Sequence, residues 1–268
     1  MRRTVFLAMT IGALSAKESS LSYPDSKLGT TVETLHGVEV ADPYRWLEDL
    51  NSDETANWVN AQSSLTDSFL DAIPGRKDLE SHLTKLWNVE RFGVPFFEGG
   101  RYFFSKNDGL QNQSVLYSTE SLDSEPSVLL DPNTLSKDGT VALGSYEVSP
   151  DGKHLAYSTS TSGSDWVEWR VREISSGKDL SDHLKWSKFS GASWAKDSKG
   201  FYYGRFPTPK DGEEMMAQNI HKKIYFHTIG TPQSEDRLIY ERPAHPKQGL
   251  YAWVSEDGNY LLIQISQG

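Results

Sequence analysis

The chain has 268 residues, of which 37% are hydrophobic and 12% aromatic, enough apolar material for one large domain or two ordinary ones with a real core. Its 27 basic and 37 acidic residues leave a net charge of −10, and the acidic groups are scattered instead of blocked. A solvated surface accounts for them, so nucleic acid is not an expected partner. The absence of cysteine excludes a disulfide framework, a thiolate zinc site and a cysteine nucleophile, and leaves the compartment open.

Residues 1–16 read as a signal peptide: Arg2-Arg3, an apolar stretch from Val5 to Leu14, then small residues at Ala13, Ser15 and Ala16. The apolar part is too short for an ordinary membrane-spanning helix. Export to the periplasm or the exterior is the expectation; a frayed cytoplasmic N-terminus is the alternative, because Thr10 and Gly12 interrupt the apolar run. Residues 17–89 read as a helical arm. Asn51 with Glu54 offers a helix cap, and Trp58, Leu65, Phe69 and Ile73 recur at helical spacing before Pro74-Gly75. A second helix carries Leu79, Leu83 and Leu86 on one face. Two helices cannot bury these side chains and the aromatics of Ala41 to Asp49, so the arm is expected to dock on another body.

From about residue 90 the period changes to two, and strands run to the end. Tight polar turns punctuate them at Glu98 to Arg101, Ser149 to Gly152, Lys196 to Gly200 and Ser255 to Gly258, roughly 45 to 60 residues apart, a spacing of propeller blades. The first blade would hold Val94 to Glu98, Arg101 to Ser105, Ser114 to Thr119 and Ser127 to Leu130. A second would hold Gly144 to Val148, His154 to Thr159 and Trp166 to Ile174, with a weak fourth strand near Leu180. The third would hold Ala192 to Ala195, Phe201 to Phe206, Lys223 to Ile229 and Arg237 to Tyr240, with a polar insertion from Pro207 to Asn219. The fourth shows only Tyr251 to Val254 and Asn259 to Ser266. The expected fold of 90–268 is thus a mainly β, incomplete propeller of about three and a half blades, cut short with open sheet edges.

Chemistry is sparse. Gly191-Ala192-Ser193-Trp194-Ala195 falls one residue short of the nucleophile elbow, and a strand follows Ser193 where the elbow needs a helix. The seven histidines form no His-x-x-x-His pair and gather no carboxylates at ligand spacing, so no metal or other cofactor is expected. Asp151, Asp197 and Asp257 all lie in turns, where bonds to their own backbone explain them.

The motifs Ala41 to Asp49 (ADPYRWLED), Lys106 to Gln113 (KNDGLQNQ), Gly163 to Val167 (GSDWV), Lys188-Phe189-Ser190 with Trp194, and Gly230 to Asp236 (GTPQSED) occur in an order that resembles the N-terminal region of prolyl oligopeptidase. The resemblance covers residues 22–268. It implies a serine endopeptidase cutting short peptides after proline, with a seven-bladed propeller gating an α/β-hydrolase domain on which the arm packs. That domain and proline-containing peptides are the implied partners, the full-length protein is expected to be monomeric, and no membrane contact is expected once the leader is removed. The family's serine, aspartate and histidine lie beyond the equivalent of Gly268, so this chain alone is expected to be inactive. One family pocket position falls inside: Phe189 corresponds to an apolar wall beside the active site, a core phenylalanine between blades being the alternative. A second pocket position, methionine in relatives, aligns with Gly249. A free-standing peptide- or protein-binding propeller is the rival reading of the whole chain.

Overall fold

The computed structural model describes residues 21–267, and the expected leader lies outside them. The chain divides into two compact units, Met1–Leu83 and Thr84–Gly268.

The first unit opens with a hairpin absent from the expectations, β1 (Val32–Leu35) and β2 (Val38–Ala41), in register Leu35 to Val38. His36 and Gly37 both take positive φ, 52° and 81°, as the two central residues of a hairpin turn of this hand require. The Asp-Pro-Tyr-Arg-Trp motif then forms a short 3-10 turn, Arg45–Glu48. Arg45 pairs with Asp42 at 2.6 Å and Glu33 at 2.8 Å, so the motif fastens itself to the hairpin. The Trp46 and Trp58 rings meet edge to face at 6.4 Å. Their indole N–H groups donate to the Lys27 carbonyl and the Ser26 hydroxyl, which tie down the segment before the hairpin.

Helix α1 (Asp53–Asp71) is capped by Ser52, one residue beyond the expected Asn51: Ser52 Oγ accepts from Thr55 N, whereas Asn51 N donates to the Asp49 carboxylate. Helix α2 (Arg76–Trp87) leaves Leu79, Leu83 and Leu86 exposed, the unburied stripe its spacing implied.

The second unit is built of antiparallel meanders. In the first blade β3 (Arg91–Phe92) and β4 (Phe96–Glu98) both pair with β5 (Arg101–Asn107), followed by β6 (Val115–Thr119) and β7 (Ser127–Leu130). Pro95, which has no N–H to give a ladder, lies in the gap between β3 and β4. The second blade contains β8 (Val141–Val148), β9 (His154–Thr161), β10 (Val167–Glu173) and β11 (Lys178–Ser187). The fourth strand expected to be weak is a full ten residues long. It reads as polar because one of its inward positions is an aspartate, Asp182, buried between Leu180 and Leu184. The third blade contains β12 (Ala192–Trp194), β13 (Gly200–Arg205), β14 (Lys223–Thr228) and β15 (Arg237–Tyr240); β16 (Gly249–Val254) and β17 (Leu261–Ser266) begin a fourth.

Core lies between blades. Phe103, Leu116, Leu129 and Leu130 of the first pack on Val148, Leu155 and Tyr157 of the second. Ala156, Trp169, Val171 and Leu184 of the second pack on Trp194, Phe201 and Tyr203 of the third. Burying each large apolar side chain contributes about 1.5–3 kcal/mol, so a blade without a neighbour loses much of its stability. Inner strands are also bonded directly: Trp194 Nε1 donates to the Glu147 carbonyl and Val254 N to Ser193 Oγ.

A meander places its first and third turns at one end and its second turn and exit at the other. At the first end the four punctuating turns touch in series. Gly99 and Gly152 meet backbone to backbone, with no room for a Cβ on either. Asp151 N donates to Ser198 Oγ, and Lys196 Nζ to the Glu256 carbonyl.

Candidate functional site

The opposite end gathers the irregular connections and three of the five unusual motifs. Lys106 to Gln113 is a self-bonded turn: Asn107 Oδ1 accepts from Gly109 N and from Arg91, and Asp108 Oδ1 from the amides of Leu110 and Gln111. Gln113 then reaches to the second blade, donating to the Val141 carbonyl and accepting from Leu143 N. Trp166 of the Gly163 to Val167 motif stands edge-on to Trp186 and Phe206 and donates its N–H to the Glu214 carbonyl, fastening the irregular segment between β13 and β14.

Phe189 lies in the connection from β11 to β12. It takes φ 50°, a left-handed conformation uncommon for an aromatic residue, and 53% of it is exposed. It belongs to neither of the apolar cores between the described blades. Each of its neighbours is anchored. Ser187 Oγ accepts from Trp169 Nε1 and donates to the Gly204 carbonyl. Lys188 is buried, its ammonium 3.9 Å from the centre of the Trp166 ring and donating to Asn219 Oδ1. Ser190 Oγ accepts from Gly204 N at 2.7 Å. The Phe189 carbonyl itself accepts from Lys222 Nζ at 2.6 Å.

Lys188 and Lys222 form none of the ion pairs seen among the described residues. Burial holds the Lys188 amine below the ordinary lysine range, against the pull of Asp165, and pushes Lys222 down to about 8. The Lys222 ammonium lies 4.3 Å from the Tyr251 ring centre. A cation over aromatic faces is the compensation left to it.

Gly249 opens β16. A Cβ there would come within 2.6 Å of Ser266 Oγ and 3.3 Å of the Tyr251 ring, so Tyr251 and Ser266 occupy the space a larger side chain would enter. Nearer the inner strands a recess of about 430 Å³ is lined by Glu98, Glu147, Ser193, Trp194 and Lys196. Burial, then the charge of Glu98, raises the Glu147 carboxyl. Ser193 is a strand residue whose hydroxyl accepts an amide from β16, which is no nucleophile's setting.

A buried polar cluster escaped the sequence reading. His227, fully buried on β14, has Nε2 2.8 Å from Asp182 and Nδ1 2.7 Å from Asp236. Tyr203 donates to Asp236 at 2.6 Å, and Gly230 N to Asp182. Both ring nitrogens face carboxylates, so the imidazole is cationic. Burial alone would lower its pKa, but the bonds to Asp182 and Asp236 outweigh it and raise it to about 9. The second blade repeats the pattern, with Tyr157 donating to Asp179, which also takes Arg172 at 2.7 Å, while Arg172 reaches the Leu129 carbonyl of the first blade. In each case a tyrosine, an aspartate and a base clasp one blade to the preceding one. With its nitrogens committed, His227 is not a ligand, and among the described residues no group of three or more such side chains could hold a metal.

Antiparallel four-stranded blades, packed face to face and joined inner strand to inner strand, define a β-propeller, incomplete over this length. The family described as prolyl oligopeptidase, N-terminal beta-propeller domain, matches residues 24–268. The chain belongs to the prolyl oligopeptidase family, in its N-terminal region. It is 39% identical to a prolyl endopeptidase of Elizabethkingia meningoseptica, over 97% of this chain and 37% of that one. It is 37% identical to prolyl oligopeptidase A of Amanita bisporigera, over 90% of this chain and 36% of that one. Among solved structures it is similar to prolyl oligopeptidase B of Galerina marginata bound to a 35mer hydrolysis and macrocyclization substrate, with TM-score 0.75 and 34% identity over 92% of this chain and 37% of that one. The chain thus spans a little over a third of the length of the relatives it matches.

Proposed function

We propose that this chain supplies the N-terminal arm (17–89) and part of the gating propeller (90–268) of an exported serine endopeptidase that cleaves short peptides after proline. Phe189 forms an apolar wall for the substrate beside the active site. The observation that carries this reading is Phe189 itself: half-exposed and held in a left-handed conformation by anchored neighbours, at the blade end where the irregular loops gather. The exposed leucines of α2 suit an arm that docks on a hydrolase domain, which supplies the catalytic serine, aspartate and histidine. Family membership supports the chemistry, and the partial coverage of the relatives supports the division of labour.

The test uses a fluorogenic peptide with proline before the scissile bond. The chain alone should leave it uncut, whereas the chain co-folded with the hydrolase region of the Elizabethkingia meningoseptica relative should cleave it. Phe189→Ala in that complex should raise KM with kcat nearly unchanged. Cleavage by the isolated chain would sink the reading, and tight capture of the peptide by the chain alone would favour a free-standing binding module. N-terminal sequencing of the exported protein tests the leader, a start near Lys17 being expected.

A further inference from the structure

Gly204 is the fifth of the six residues of β13, paired with Ile224 of β14, and a glycine inside a strand weakens it unless something needs its space. A Cβ there would come within 2.5 Å of Lys222 Cε and 3.0 Å of Ser190 Oγ. The missing side chain is the passage through which the buried Lys222 stem reaches the connection carrying Phe189. The same glycine offers its N–H to Ser190 and its carbonyl to Ser187, so both flanks of Phe189 are fixed to one residue of β13 and its carbonyl to the lysine threaded beside that residue.

We propose that Lys222 is a positioning residue for the Phe189 wall, fixing the left-handed turn that projects the ring, and that the wall is released when the lysine loses its proton. The proposal rests on the reading of Phe189 as a substrate contact, but its geometry does not. A protonated amine makes a charge-assisted bond to a carbonyl, roughly twice as strong as a neutral one. Without the charge, the attraction to the Tyr251 ring goes and the bond to the Phe189 carbonyl is weakened, which loosens the hold on φ 50°. The amine's low pKa brings this change into the weakly alkaline range.

The groups around Lys222 are few. Tyr251 and Phe206 face it with rings, His221 and Lys223 flank it in sequence, and Glu241 and Arg242 line the cavity of about 170 Å³ beside it. Glu241 is engaged with Lys223 at 2.6 Å. Lys188, which precedes Phe189 in the chain, is itself buried and faced by Asp165.

The experiment places 4-fluorophenylalanine at position 189 and follows its fluorine resonance from pH 6 to 10, with circular dichroism confirming the β fold of each variant. The resonance should step with a midpoint near pH 8 in the parent and in Lys188→Met. It should not step in Lys222→Met, whose resonance at pH 7 should already match the alkaline parent, and Lys222→Arg should hold the low-pH position throughout. Gly204→Ala should reproduce Lys222→Met by crowding the stem. A step that survives Lys222→Met or vanishes in Lys188→Met would overturn the proposal, as would a Lys222→Met resonance at pH 7 equal to the parent's. No peptide is involved, so a clear step together with an unchanged KM for Phe189→Ala would refute the substrate wall and leave the lysine's role standing.

Discussion

At one end of the blades the same device recurs. Ser149 and Ser255 each bond to an aspartate two residues on and to the amide five residues on. The tyrosine, aspartate and base clasp appears in both complete inner interfaces at that end. At the other end three connections each differ: one is a self-bonded asparagine turn, another a tryptophan bonded to an irregular segment, another a half-exposed phenylalanine whose carbonyl takes a buried lysine. The repeating end holds the blades together through interactions any blade can use. The irregular end carries costs that no repeat needs, namely two buried lysines outside any ion pair seen among the described residues and a left-handed aromatic residue, which fits the role proposed for it.

That contrast can be broken by mutation. The largest effect is expected at the clasp: His227→Gln leaves Asp182 and Asp236 buried without their cation and should cost about 4 kcal/mol in urea unfolding. The parent should show the matching pH dependence. Because the His227 pKa is raised from 6.5 to about 9, its contribution is complete below about pH 6.5 and is lost as pH rises through about 9. Asp182, lowered by its bonds to His227 and Gly230 against the effect of burial, acts on the other side: its contribution holds above pH 3.8 and is lost as pH falls through the depressed value. A melting temperature in His227→Gln that fell as steeply as the parent's between pH 6.5 and 9 would refute the assignment.

Gly152→Val comes next. Its φ is 69°, and a Cβ would lie 2.5 Å from the Gly99 carbonyl, which is backbone and cannot swing away. Left-handed strain and the forced separation of two blades should together cost about 3 kcal/mol. Ser149→Ala, removing one fully buried hydroxyl from a turn, should cost about 1 kcal/mol. Phe189→Ala at the irregular end should change stability by less than about 0.5 kcal/mol, since the side chain it removes is half in water. Equal losses for Gly152→Val and Phe189→Ala would erase the distinction between the two ends.

Much of the architecture was legible because it is local. Period-two alternation and the polar turns locate every blade strand except β3 and β11 to within about three residues, since a turn such as Asp151-Gly152 or Asp257-Gly258 closes on its own backbone. The β1–β2 hairpin carries no strong sequence signal because its turn is His36-Gly37, not the Asn-Gly or Asp-Gly pair that announces such turns. Strand β11 looked weak because Asp182 occupies a core position, and only a histidine 45 residues away makes that tolerable. Phe189 stands out in the sequence through the family resemblance alone, and nothing in its local sequence says that its ring is exposed.

The amino-acid sequence by itself determined the blade period, the turn positions, the two helices and the family, because each depends on neighbours in the chain or on motifs that can be read as strings. Tertiary structure decided which charges are buried and what they hold. His227 became a cation paired with two carboxylates, and Lys222 one held by a carbonyl and an aromatic ring, because folding brought each to surroundings contributed by other parts of the chain, and the energy of a charge depends on those surroundings more than on the residue that carries it.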